Sequence, residues 1–165
     1  MKKILSLLAI ALVSFGVKVA AIDITTVDKV EPTDEMFMDM AVTAAKKSVA
    51  SSGVPSGAVI ILNGAWRATG TPEGAKTAEE VAVAKSRLNR LANANVYTVD
   101  EPTTAVVNML NSLGVSAIYF TNPRDVVVAA GIYPASAYDD SALDTSVKQA
   151  PIYRLPYADA EALLK

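Results

Sequence analysis

The chain has 165 residues, 52% of them hydrophobic and 19% charged, with 15 basic against 17 acidic side chains and neither cysteine nor histidine. These counts exclude disulfides, a thiol nucleophile, an imidazole acid or base, and a zinc site of the usual nitrogen and sulfur type. A net charge of -2 provides no clustered basic face for nucleic acid.

Met1, Lys2 and Lys3 form a positive start, Ile4 to Val17 is an almost purely apolar run of 14 residues, and Val19-Ala20-Ala21 offers small residues at a cleavage point. This pattern predicts a secretory signal peptide over 1–21 and a mature domain over 22–165. The run falls short of the ~20 residues that cross a bilayer, and Lys18 interrupts it. The expectation is therefore export, to the periplasm or beyond the cell, with no membrane span after signal removal. The mature chain keeps 12 basic and 17 acidic groups, a formal charge of -5. A chain of this size buries about 68% of its unfolded surface, enough for a core without disulfides.

Ile22 to Glu31 reads as an extended arm. Thr33 is placed to cap a first helix, with Asp34 and Glu35 against its positive end. Phe37, Met40, Ala41, Ala44, Ala45 and Val49 then recur at three- and four-residue spacing, to a stop near Gly53. Ala58 to Leu62 is an apolar run of strand length, Asn63-Gly64 is a strong hairpin turn signal, and Ala65 to Thr69 returns. Gly70 to Lys76 reads as a loop, and Thr77 to Leu91 as a second helix with basic residues around its apolar face. Asn95 to Val99 is a third strand. Pro102 suits the opening of a helix through Val106, Val107, Leu110 and Leu113, which Gly114 stops. Val115 to Thr121 is a fourth strand and Pro123 to Ala130 a short helix. In the tail, Ser136 to Val147 reads as helical, Ile152 to Leu155 as strand and Tyr157 to Leu164 as a final helix. An α/β fold follows: a three-layer α/β/α sandwich on a mixed sheet of about five strands.

The segments GAVIILNG (57–64), TAEEVAVA (77–84), NVYTVDEPTTAVV (95–107) and GVSAIYFTN (114–122) come in an order and spacing that resembles the cytidine and deoxycytidylate deaminase superfamily. The tail, RDVVVAAGIYPASAYDDSAL then APIYRLPYADAEALL, is similar to the guanine deaminase-like branch of nucleoside deaminases. The resemblance runs from about Thr33 to Leu164 and implies the cytidine deaminase-like fold. That family holds zinc through His-Ala-Glu at the second helix and Pro-Cys-x-x-Cys at the third. Here the first motif reads Thr77-Ala78-Glu79 and the second Pro102-Thr103-Thr104-Ala105-Val106. The three ligand positions thus carry Thr77, Thr103 and Val106, which are unsuited to zinc, and no zinc cofactor is expected. In the family the metal lowers the pKa of bound water from about 15.7 to about 7, and the resulting hydroxide attacks the amino-bearing ring carbon. Glu79 matches the proton-shuttling glutamate, here a vestigial catalytic position without activated water to serve.

Each remaining feature also has a structural reading. Glu79 suits the helix dipole. Asp100 and Glu101 are adjacent on a strand end and so point apart; Glu101 matches the acid that precedes the family's proline, and otherwise caps a helix. Trp66 reads as packing, Tyr97, Tyr119, Phe120 and Tyr153 as core or interface, and Lys85, Arg87 and Arg90 as a solvated helix face. Glu80, Asp100, Glu101, Pro102 and Thr104 are candidate pocket residues beside Thr77 and Thr103, whose helix end offers free donors.

The leading expectation is an exported pseudoenzyme of the deaminase fold, binding a small heterocycle or a protein partner. One alternative is a related hydrolase using carboxylates and hydroxyls, with Glu79, Glu80, Asp100, Thr77 and Thr103 holding a hard cation. Another is a structural or self-assembling module, because the family forms dimers through the helices bearing its zinc motifs; a homodimer is expected on the same resemblance.

Overall fold

The computed structural model describes residues 21–165; the signal-peptide reading falls on residues that, Ala21 apart, lie outside these. The elements run β1 (Ile24–Thr26), α1 (Pro32–Ser52), β2 (Ala58–Leu62), β3 (Ala65–Gly70), α2 (Ala78–Ser86), β4 (Ala94–Asp100), α3 (Thr104–Ser112), β5 (Ala117–Asn122), α4 (Arg124–Ala129), β6 (Ile152–Arg154) and α5 (Ala158–Glu161). The strands form a single mixed sheet in the order β1-β6-β5-β4-β2-β3. It has six strands where the sequence marks five. The extended arm supplies the sixth, as Ile24 to Thr26 pair in parallel with Ile152 to Arg154.

Helices cover both faces, and strand parity decides which side chains meet which layer. Ala58, Ile60, Ala94, Val96, Ile118 and Phe120 pack with Ala78, Ala82, Val106 and Val107 of α2 and α3. Val59, Ile61, Tyr97 and Val99 pack with Phe37, Met38, Ala41, Val42 and Ala45 of α1 and Ala160 of α5. On this second face Tyr97, Tyr119 and Tyr153 stack across β4, β5 and β6, with ring centroids 4.6 and 5.2 Å apart. Asp34 of α1 accepts a hydrogen bond from the Tyr97 hydroxyl at 2.7 Å. The helices approach closely because of two glycines: a Cβ on Gly57 would stand 2.4 Å from Ala41 O, and one on Gly70 would stand 2.0 Å from Ala78 O.

Several boundaries differ from the sequence reading, each for a local reason. Helix α1 begins at Pro32 with Glu31 at the cap position and no side-chain cap, so Thr33 lies inside the first turn. Helix α2 ends at Ser86 because Arg87 turns left-handed at φ 56°. Leu88 and Leu91 then reach the same core from a turn instead of from a helix face. Between α4 and β6 the chain forms two short 3-10 turns, Ala135–Tyr138 and Asp140–Ala142, in place of one helix. Trp66 is 57% exposed on β3, and its indole N–H donates to Thr69 Oγ1 at 2.9 Å, so it is not a packing residue. Ile60 pairs Ala68 while Ile61 pairs Trp66, which leaves Arg67 in a β-bulge. The bulge turns Arg67 toward α2, where Nε and Nη2 donate to Ser86 O at 3.1 and 2.9 Å.

Candidate functional site

β3 and β4 run in the same direction, each antiparallel to β2, and β5 is parallel to β4. The helices after β3, β4 and β5 therefore all begin at one end of the sheet. That end, outside the strands' carboxyl termini, is where α/β sheets build their sites.

Thr77 and Thr103 occupy the caps of α2 and α3. The Thr77 hydroxyl accepts from Glu80 N at 3.3 Å while the Glu80 carboxylate accepts from Thr77 N at 2.7 Å, a closed capping box. The Thr103 hydroxyl accepts from Val106 N at 3.4 Å. Val106 is buried among the apolar residues between α3 and the sheet. The three positions matched to zinc ligands thus consist of two hydroxyls engaged as helix caps and a hydrocarbon side chain, and this donor set does not fit zinc. Nor does the carboxylate alternative assemble. Glu80 is committed to its cap, and among the described residues no three acidic side chains gather as a metal site.

The structure does bring together Thr77, Glu79 and Asp100, with three residues that the sequence reading did not single out: Ser56, Thr98 and Tyr133. Ala58 pairs Thr98 across β2 and β4, so the same register continued by two places sets Ser56 opposite Asp100. Asp100 pairs Asn122 on β5. Ser56, Thr98, Asp100 and Asn122 have even parity, which on these strands faces α2 and α3, and Glu79 is buried above them. Thr98 Oγ1 donates to Glu79 Oε1 at 2.6 Å, and Asn122 Nδ2 donates to Asp100 Oδ1 at 3.4 Å. Five buried polar atoms in and beside this row have no partner within hydrogen-bond distance: Ser56 Oγ, Glu79 Oε2, Asp100 Oδ2, Asn122 Oδ1 and the Tyr133 hydroxyl.

The electrostatics follow from this burial. Desolvation pushes the Glu79 pKa up, against the lowering effect of the Thr98 hydrogen bond. Desolvation together with the nearby Glu79 charge raises Asp100 to about 7, with Ser56 and Asn122 acting in the opposite direction. Burial and the same two carboxyls also raise Tyr133. None of these groups has a cationic partner among the causes of its shift.

Glu101, the first residue past the end of β4, is engaged away from the row. Its carboxylate accepts from the backbone N–H of Arg124 at 2.8 Å and from Arg124 Nε at 2.7 Å, and its carbonyl accepts from the Tyr138 hydroxyl at 2.8 Å. Arg124 Nη1 also donates to Asp140 Oδ1 at 3.1 Å. Glu101 thus anchors α4 and the 3-10 turns, outside the candidate site. Pro102 and Thr104 are buried beside it, the latter with an unpaired hydroxyl. Lys85 pairs the exposed Glu73 at 2.8 Å, which accords with a solvated face. A cavity of about 160 Å³ opens beside the row, lined by Val54, Pro72, Lys76, Thr77, Ile132 and Tyr133 among others.

No protein-family profile matches the sequence, and no curated protein does. Solved structures do match it. A transfer RNA wobble-position A-to-I deaminase aligns at TM-score 0.61 and 21% identity, over 79% of this chain and 99% of that one. A guanine deaminase from Nitrosomonas europaea aligns at TM-score 0.61 and 18% identity, over 82% and 84%. This chain has the cytidine deaminase-like fold. The dCMP deaminase of cyanophage S-TIM5 aligns more loosely, at TM-score 0.51 and 17% identity, over 76% and 99%. Within this fold α2, α3 and α4 all begin at one end of the sheet. The chemistry at those starts depends on the side chains present there.

Signals for the three additional residues existed in the sequence. Thr98 interrupts an apolar strand. Ser56 lies between Pro55 and Gly57, next to a close helix approach, and Tyr133 follows the helix-stopping Gly131.

Proposed function

We propose that this chain is an exported pseudoenzyme of the deaminase fold, which carries no zinc and binds a small heterocycle or a protein partner at the former catalytic end of the sheet, as a homodimer. The observation that carries the reading is the use of the Thr77 and Thr103 hydroxyls as helix caps beside a buried Val106. A metal that activates water needs deprotonated or imidazole ligands and an open coordination position, and these side chains supply neither. Glu79, buried and hydrogen-bonded to Thr98, then serves as a structural carboxyl instead of a proton shuttle.

The test is turnover and metal content on the same purified sample. No ammonia should be released from guanine, cytidine or adenosine, with or without added zinc, and elemental analysis should find well under one zinc per chain. Robust turnover, or a stoichiometric zinc that survives dialysis, would refute the proposal. Sedimentation that shows a monomer at every concentration would remove the dimer.

A further inference from the structure

Five unpaired polar atoms in and beside one buried row are costly. Each buried donor or acceptor left unsatisfied loses its hydration without compensation, and native folds rarely tolerate several together. They are two carboxyl oxygens, Glu79 Oε2 and Asp100 Oδ2, two hydroxyls, Ser56 Oγ and the Tyr133 OH, and the amide oxygen of Asn122. Ser56 and Asp100 are fully buried and Glu79 nearly so. Thr77 and Tyr133 line the cavity and also stand near Glu79, whereas Ser56, Glu79 and Asp100 lie behind that wall. The Tyr133 hydroxyl stands beside Ser56 and near both carboxyls, and the loop bearing it starts from the left-handed Gly131 at φ 74°.

We propose that Ser56, Glu79, Asp100 and Tyr133 form a recognition site for a small planar amidinium or guanidinium cation, which enters through the cavity when the Tyr133 ring swings aside. The inference rests on the reading that no metal occupies this end of the sheet, and it names the ligand chemistry of that site. Two free oxygens on two separate carboxyls suit the parallel N–H donors of such a cation, whose charge-assisted bonds are among the strongest available. A calcium-type ion wants six to eight oxygens, which two carboxyls and two hydroxyls do not provide. A volume of about 160 Å³ restricts the ligand to one ring or less. Lys76 stands exposed at the mouth, where solvent screens it.

The groups that face Asp100 are Glu79 from α2, Ser56 before β2, Asn122 from β5, and Tyr133 and Tyr138 from the segment after α4. None is a cation. With Asp100 titrating at about 7, a cation that binds the ionised form should bind about tenfold more weakly at pH 6 than at pH 8.

The experiment is thermal melting of the purified protein with benzamidine, its neutral isostere benzamide, and methylguanidine. Benzamidine and methylguanidine should raise Tm saturably at pH 8, benzamide should not, and the midpoint for benzamidine should move about tenfold higher in concentration at pH 6. Asp100→Asn should abolish the shift, and Tyr133→Ala, which opens the wall, should strengthen it. No shift with either cation, an equal shift with benzamide, or a shift that persists in Asp100→Asn would each overturn the proposal. Zinc content and deaminase turnover, measured separately, defeat the functional reading without touching this result.

Discussion

Asp100 is a buried carboxyl without a cation, and its cost to the fold can be worked out from its titration. Its pKa stands near 3.8 in the unfolded chain and about 7 in the folded one. Below about pH 4 both states keep the proton, and the carboxyl costs little. Between about 4 and 7 the unfolded chain releases the proton while the folded chain holds it, so stability falls by roughly 1.4 kcal/mol per pH unit. Above 7 the slope ends, with about 4 kcal/mol lost. Asp100→Asn keeps the shape and removes the charge. The variant should therefore gain about 4 kcal/mol over the parent at pH 8 and almost nothing at pH 4, before any change in the weak Asn122 contact. At ~2–4 °C per kcal/mol for a chain of this size, its Tm at pH 8 should rise by about 10 °C. Urea unfolding of both proteins from pH 4 to pH 8 measures the difference directly. Glu79, raised by the same burial, adds to the parent's slope with the same sign. A parent whose stability is flat or increasing from pH 5 to pH 8 would refute the reasoning, as would a gain in Asp100→Asn that is equal at both ends of the range.

Two further substitutions probe the frame around the row. Gly70→Ala places a Cβ 2.0 Å from Ala78 O and 2.4 Å from Ala82 N; both are backbone atoms, so α2 must lift from the sheet, and urea unfolding should show a loss of about 2–3 kcal/mol or more. A loss under about 0.5 kcal/mol would mean that α2 floats on the sheet. Arg124→Met leaves the buried Glu101 carboxylate without its cation, and should destabilise by about 3 kcal/mol. It should also raise proteolytic cutting between Ala135 and Ala142, where Asp140 loses its partner; an uncut, fully stable variant would show that the ion pair is not what holds these turns.

The elements that bury regular apolar patterns were legible in the sequence. The Asn63-Gly64 hairpin, the α1 stripe ending at Gly53, and the Leu110 face of α3 ending at Gly114 all stand where residue chemistry places them. The differences arise where tertiary contacts override local pattern. Ile24 to Thr26 form a strand only because β6 offers an unpaired edge, and Leu91 belongs to the core without belonging to a helix. At the site, the capping box of Thr77 and Glu80 was a signal in the Thr-x-x-Glu spacing that the sequence reading did not use. The row did not follow, because Ser56 and Asp100 meet only through a strand register about 40 residues apart in the chain, and Glu79 reaches Thr98 only through a helix packing 19 residues away.

The hydroxyl and hydrocarbon side chains at Thr77, Thr103 and Val106 and the buried carboxyl row belong to the same electrostatic problem. A divalent ion beside Glu79 would hold its carboxylate ionised, just as bound metals invert local pKa values elsewhere. Without that charge, burial dominates and Glu79 is pushed toward the neutral form. A chain that only decayed from a metal site would be expected to fill the space with hydrocarbon, as Val106 does on α3. Instead a second carboxyl, Asp100, stands within range of the first, with Ser56 beside Asp100 and Tyr133 near both. Each of these groups adds desolvation cost, and none supplies the missing positive charge. The arrangement is stable only to the extent that protons or an external cation neutralise it, so the charge state of the row, set by pH and by what enters the cavity, determines how firmly α2 is seated on the sheet.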